Sequence, residues 1–224
     1  MFSYNVGLTS LEVGANGDYT VKSSEDLYTN VDMLSKLVGA YEETSKGKKT
    51  LIFNNGIQTS IQVFHAFKKA GYPIAHLDNT NTKKERDFIL KWFKKTPNAI
   101  ITSVSILTTG FDEPTIESII LNRATKSLTL YYQMIGRGSR KLPNKDSFTV
   151  IDLGNNALRF GLWNDPVDWQ HIFNPNNTRS NIDTTWYTND HCFAKGPDGK
   201  WHAYGIIGHK PINPWTGETR LFHI

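Results

Sequence analysis

Short apolar runs alternate with amphipathic stretches through most of the 224-residue chain. Thr50-Leu51-Ile52-Phe53, Pro73 to Leu77, Ala99-Ile100-Ile101-Thr102, Ser118-Ile119-Ile120-Leu121 and Phe148-Thr149-Val150-Ile151 read as strands. Between them the apolar residues recur at helical spacing. Val31, Leu34, Leu37, Val38 and Tyr41 predict a helix ended by Lys46-Gly47-Lys48-Lys49. Ile57, Ile61, Phe64 and Phe67 mark one face of a helix ending at Gly71. Thr82-Lys83-Lys84-Glu85 has capping-box spacing, and Phe88, Ile89, Trp92 and Phe93 give the helix that follows its buried side. Leu128 to Ile135 predicts one more short helix. Strands this apolar, alternating with helices, predict a parallel sheet covered on both faces. Right-handed crossovers then place the strand-end loops on one edge, where ligands bind in such sheets.

The two ends of the chain break this pattern. Residues 1–29 mix Gly, Asn, Asp and Ser with short alternating runs, and Ala15-Asn16-Gly17-Asp18 is a turn signal. They read as a hairpin or linker from a preceding domain, not as core. Residues 30–155 hold the α/β pattern. Residues 156–224 hold five of the six Trp and five of the seven His, with turn signals at Pro197-Asp198-Gly199-Lys200 and Trp215-Thr216-Gly217-Glu218, and read as a small strand-rich aromatic appendage.

Composition narrows the class. With 38% hydrophobic and 21% charged residues the chain is globular. No apolar run approaches the roughly 20 residues that span a bilayer, and no charged-then-apolar leader begins at Met1. Cys192 is the single cysteine, which excludes an internal disulfide and a four-cysteine zinc site and makes a reducing cytosol the natural compartment. The net charge of +4 resides in residues 1–155; it permits a polyanionic partner without demanding one.

Two segments carry the chemistry. Thr102 to Pro114 follows a buried strand and offers small hydroxyls, Gly110 and the carboxylate of Asp112. Hydroxyls and open backbone N–H groups at a strand end suit phosphate oxygens, although an ordinary glycine-containing loop has the same look. Tyr131 to Arg140 places Arg137 and Arg140 three apart beside Gly136 and Gly138. That spacing sets both guanidiniums on one side of a helix or its last turn. Two planar donors aimed at one point suit a phosphoryl group whose charge is redistributed during transfer. Gln133, four residues before Arg137, shares that side and can orient an arginine or a water.

Together these segments resemble the C-terminal RecA-like domain (a P-loop NTPase-type fold) of superfamily 2 DEAD/DEAH-type helicases. Gly110, Asp112 and Pro114 resemble the end of motif V. Gln133-x-x-Gly136-Arg137-x-x-Arg140 resembles motif VI, and Leu51-Ile52-Phe53-Asn54-Asn55 resembles motif IV. His76-Leu77-Asp78 and Glu85-Arg86 fall among the intermediate elements. The runs Leu107 to Asp112 and Ile151 to Asn155 look closest to RadD-like and type III restriction-subunit-like helicases. The resemblance implies that Arg137 and Arg140 are arginine fingers reaching the γ-phosphate of ATP, and that Gly110, Asp112 and Gly136 serve the nucleotide. It also implies that Thr102, Ser103, Asn54 and Asn55 touch the nucleic-acid backbone. Ser103 stands where many relatives have Asp or Asn. Asn79 stands where many have Gly, and Asn tolerates the left-handed backbone such a turn uses.

A working motor also needs Gly-x-x-x-x-Gly-Lys-Ser/Thr and an Asp-Glu box for Mg²⁺. Ser45-Lys46-Gly47-Lys48-Lys49-Thr50 has only a passing likeness to the first, since its leading Gly is absent and Lys49 stands where Ser or Thr must follow. Asp112-Glu113 belongs to motif V. The expectation is half of an ATP site, completed by an N-terminal RecA-like domain upstream. ATP and Mg²⁺ then bind the full-length protein, with neither cofactor nor metal expected on this chain alone. DNA is favoured over RNA as the strand, with a role such as DNA repair. The alternative is a stand-alone, non-catalytic nucleic-acid or protein binding module that kept the fold. The aromatics of the appendage read as its core, the histidines around Cys192 lack zinc-finger spacing, and Lys83, Lys84, Lys91, Lys94 and Lys95 read as a solvated helix face.

Overall fold

The computed structural model describes residues 1–104, 107 and 111–165, together with the backbone strands β7 (Trp186–Lys195), β8 (Trp201–His209) and β9 (Glu218–His223). The chain divides into two compact units, Met1–Trp163 and Asn164–Ile224.

The first unit runs β1 (Phe2–Ser3), α1 (Val21–Tyr28), α2 (Val31–Thr44), β2 (Thr50–Asn54), α3 (Ile57–Lys69), β3 (Ile74–Leu77), α4 (Lys83–Lys95), β4 (Ile100–Ser103), β5 (Ser118–Asn122), α5 (Leu128–Ile135), β6 (Thr149–Asp152) and α6 (Asn156–Phe160). Its strands form one six-stranded sheet in the order β1-β6-β5-β2-β4-β3, with every pairing parallel. β2, β4 and β5 are buried along their whole length, as strands covered on both faces must be. The two-residue period sorts their side chains. Leu51, Phe53, Ile101, Ile119 and Leu121 pack on one face with Phe93, Tyr131 and Met134, while Ile52, Ile100, Ile120 and Ile151 pack on the other with Leu37, Tyr41, Val63 and Phe67. The capping box of α4 forms: Glu85 N–H donates to the Thr82 hydroxyl at 3.3 Å, and Thr82 N–H donates back to the Glu85 carboxylate at 2.8 Å. Among the described residues no helix is long and apolar enough to cross a membrane.

The structure departs from the apolar pattern at several points. Residues 1–29 hold more than a hairpin. A single bridge, Val13 with Tyr19, closes the Asn16-Gly17 turn, but Phe2–Ser3 extends the sheet beside β6 and Val21–Tyr28 is a helix. Tyr28 is fully buried, and its hydroxyl donates to the Leu153 carbonyl at 3.0 Å. On α3 the buried face is Thr59, Ser60, Val63 and Phe67, turned away from the apolar line because Ser60 has polar partners inside. On α4 the core takes Ile89, Leu90, Trp92 and Phe93, and leaves Phe88 73% exposed. Asn79 keeps a negative φ; among the described residues only Asn155 is a non-glycine with positive φ. The turn after β3 is made by side chains instead, with Thr80 N–H donating to Asp78 and Asp78 N–H to Asn81, both at 2.8 Å. The first unit ends at Trp163, eight residues beyond the boundary read at Asn155, because α6 belongs to it.

The second unit contains an antiparallel sheet in the order β7-β8-β9, the strand-rich character its composition predicts. The side chains of Trp169, Trp186, Trp201 and Trp215, and of His191, Cys192, His202 and His209, lie outside the described residues.

Candidate functional site

The carboxyl ends of β2, β4 and β5 finish in polar residues that bond to one another. Asn122 Nδ2 donates to Asn54 Oδ1 at 2.8 Å, and Asn54 Nδ2 donates to Thr102 Oγ1 at 2.8 Å and to the Ser103 carbonyl at 3.1 Å. Thr102 Oγ1 lies 2.9 Å from Ser60 Oγ, which lies 2.9 Å from His76 Nδ1; His76 Nε2 is 3.1 Å from Asp78. Asn54, Thr102 and Ser103 are fully buried. Burial alone would push the Asp78 carboxyl up, but bonds from Thr80 and His76 win and hold it below its ordinary value. Asn55 joins a neighbouring group, its Nδ2 donating to Ser24 Oγ at 2.5 Å. In this structure the side chains of Thr102, Asn54 and Asn55 therefore lace the sheet end together instead of facing solvent. Ser103 Oγ is buried with no hydrogen-bond partner among the described residues.

The arginine pair belongs to a second constellation. It follows α5, on the return from β5 to β6, and is held against the connection from β4 to β5. Arg137 Nη1 donates to the Phe111 carbonyl at 2.6 Å. Arg140 Nη1 pairs with Asp112 Oδ1 at 2.9 Å, with 38% of the Arg140 side chain and 71% of the Asp112 side chain exposed. Burial pushes the Arg137 guanidinium below its ordinary value, Arg140 pushes the same way, and Asp112 opposes both. The two guanidiniums are thus held within reach of each other, with the Asp112 carboxylate offsetting part of their repulsion. Gly136 caps α5 with a helical φ of −57°. Gly138 is required by packing, since a Cβ there would stand 2.5 Å from Phe148 Cδ2 and 2.9 Å from Ile119 Cγ1. Gln133 is half-buried on α5 and makes no side-chain hydrogen bond among the described residues. Gly110 lies outside the described residues.

Lys145 ties this constellation together. Its ammonium donates to the Pro114 carbonyl at 3.1 Å, the Gly138 carbonyl at 2.6 Å and the Arg140 carbonyl at 3.1 Å. All three of its N–H bonds are used, so the end of the β4–β5 connection and the turn carrying the arginines are fixed to one atom. Nothing in the apolar pattern marks Lys145, one of three charged side chains, with Lys141 and Asp146, in the stretch Lys141 to Ser147. Arg123 is a second unmarked charge. It is 5% exposed, donates to the Asn54 carbonyl at 3.3 Å and sits 3.8 Å from Asp18. Burial pushes it down while Asp18 opposes. Among the described residues no group of three His, Cys, Asp or Glu side chains could hold a metal ion.

A six-stranded parallel sheet flanked by helices defines the class, a RecA-like fold. The helicase conserved C-terminal domain family matches residues 29–141, and the chain belongs to that family. It is 31% identical over 126 residues to the type I restriction enzyme EcoKI endonuclease subunit of Escherichia coli, covering 50% of this chain and 11% of that protein. It is 24% identical over 152 residues to the DEAD-box ATP-dependent RNA helicase 20 of Oryza sativa, covering 68% and 30% respectively. Among solved structures it resembles a fragment assigned to the HsdR subunit of a Vibrio vulnificus type I restriction enzyme, with a TM-score of 0.54 and 22% identity over 64% of this chain and 30% of that one. The chain spans about a third or less of the length of the curated relatives it matches.

Proposed function

We propose that this chain is the second motor domain of an ATP-dependent nucleic-acid helicase or translocase, and that Arg137 and Arg140 complete an ATP site whose triphosphate loop and Mg²⁺ ligands belong to an N-terminal RecA-like domain. The observation that carries the proposal is the arginine pair itself: two guanidiniums, three residues apart, anchored to Phe111 and Asp112 and repelling one another. The Arg140–Asp112 bond is exposed and weak, worth about 0–1 kcal/mol, so a phosphoryl oxygen can displace Asp112 at little cost. Arg137 stays aimed by the Phe111 carbonyl. Gln133 and Gly136 lie at the end of α5 just before Arg137, and Asp112 pairs with Arg140; together with Gly110 they are proposed to serve the nucleotide. Thr102, Ser103, Asn54 and Asn55 shape the strand end that supports contact with a nucleic-acid backbone. DNA is proposed as the strand, on the likeness to a restriction-enzyme subunit, and a reducing cytosol as the compartment.

The test is made on the chain joined to its N-terminal motor domain. Arg137→Ala is expected to lower kcat for ATP hydrolysis on the order of 10³-fold, the low end for arginine fingers, with a much smaller change in ATP affinity. Unchanged turnover would remove the role. The chain alone is expected to hydrolyse no ATP. Comparing single-stranded DNA and RNA as activators decides the strand.

A further inference from the structure

The lysines that only faintly resemble a phosphate loop meet again at the opposite, amino-terminal edge of the sheet. Lys48 and Lys49 immediately precede β2, Lys94 and Lys95 end α4, and Lys145 precedes β6; all five line one open cavity of about 740 Å³. Only two carboxylates, Glu117 and Asp146, share its walls, so the cavity carries a net charge of +3 out of +4 for the whole chain.

Of these side chains Lys49 is buried and Lys145 half-buried. Lys49 is 3% exposed, donates to the Lys94 carbonyl at 3.0 Å and lies 5.2 Å from the Phe93 ring centre. Burial pushes its pKa down and the Lys94 ammonium adds to that, against Glu113 and Glu117. Lys145 is pushed down by burial too. Buried like charges are costly unless something of opposite sign completes them. Lys48 has two acceptors, the Thr44 carbonyl at 3.0 Å and Thr149 Oγ1 at 2.8 Å, which leaves one N–H; Lys49 keeps two. Lys94 and Lys95 are exposed on the rim, and their ammoniums make no hydrogen bond or ion pair among the described residues.

We propose that this cavity is a binding site for a compact anion bearing two or more phosphoryl groups, either a free polyphosphate or the phosphorylated end of a nucleic-acid strand. Each phosphoryl group carries about −1.5 to −2 charges near neutral pH, so a pair of them matches the net +3 of the walls. Lys48 and Lys49 supply hydrogen bonds from the floor. Lys94 and Lys95 close from the rim. Lys145 adds its field but no bond, because its N–H groups are spent on carbonyls. The proposal stands apart from the ATP reading, since neither Arg137 nor Arg140 lines the cavity.

The experiment is calorimetric titration of the chain with inorganic pyrophosphate, done in an Arg137→Ala/Arg140→Ala background so that the arginine pair cannot compete. One saturable site is expected, with Lys94→Ala/Lys95→Ala weakening it about 10-fold or more, as loss of two rim charges should. Both lysines are exposed, so that variant keeps the fold, which circular dichroism checks. No binding up to millimolar pyrophosphate overturns the proposal, as does binding indifferent to the lysine pair. An acidic polyglutamate peptide that binds in place of pyrophosphate also overturns it. Displacement of pyrophosphate by a 5′-phosphorylated oligonucleotide, but not by its 5′-hydroxyl twin, supports the site with a strand end as occupant. Displacement by tripolyphosphate alone supports it with a free polyphosphate.

Discussion

Replacing Lys145 with Met removes one ammonium and little else. The ammonium lies 5.8 Å from the Phe148 ring centre, and methionine keeps roughly the volume of the stem that carries it. Three carbonyls lose their donor, but not equally. Pro114 and Arg140 are partly exposed, so water can reach theirs; Gly138 is buried and its 2.6 Å bond has no ready substitute. An orphaned buried acceptor costs about 1–3 kcal/mol. Removing a cation that burial already disfavours returns some free energy. The expected loss is therefore about 2 kcal/mol, which lowers Tm by roughly 4–8 °C for a chain of this size. Urea unfolding with matched m-values gives the first number and calorimetry the second. Amide exchange adds a positional check, with faster exchange at residues 136–141 and no change in β2 or β4. Lys145→Arg should fall between wild type and Met, because a planar fork cannot meet three convergent carbonyls. A Lys145→Met loss under 0.5 kcal/mol, with exchange unchanged around the arginines, would refute the idea that this ammonium holds the two segments together.

Other outcomes follow from the same geometry. Gly138→Ala forces a Cβ against Phe148 and Ile119 and should cost about 1–3 kcal/mol by overpacking; a silent substitution in urea melts would show that the turn has room to shift. Asp78→Asn should destabilise near neutral pH. The Asp78 pKa is depressed in the folded state, so its stabilisation is full above the unfolded value near 3.8 and is lost as pH falls through the lower folded value. The gap between wild type and Asp78→Asn should accordingly narrow below about pH 3.8, which urea midpoints taken across that range will test; a gap that widens in acid contradicts the assignment.

Where burial follows apolarity, the chain is readable from its residues. The five strands of the α/β region and the helix at Leu128–Ile135 stand where the pattern places them, because most of their side chains are apolar and pack into the two cores. The pattern misleads where polar groups are buried in company. Ser60 turns α3 inward because a histidine and a threonine wait for it, and no periodicity of apolar residues can announce that. Phe88 reads as core by its ring, yet it lies one position off the stripe formed by Ile89 and Phe93. The arginine pair is legible because its spacing is a local, chemical signature. Lys145 is not, because its role is to join the nearby Gly138 and Arg140 carbonyls to that of Pro114, 31 residues away, and no local pattern announces that.

The bonded side chains at the sheet's carboxyl edge also answer a question that the apolar strands leave open. β2, β4 and β5 are greasy on both sides, so sliding one past another by two residues would still bury hydrocarbon against hydrocarbon. Asn54 stands directly opposite Asn122, and Phe53 opposite Ser103, with Thr102 one step behind. Any slide strands their amides in oil. These few polar groups work like the notches of a key: hydrophobicity assembles the sheet, and they dictate the single alignment in which it can close.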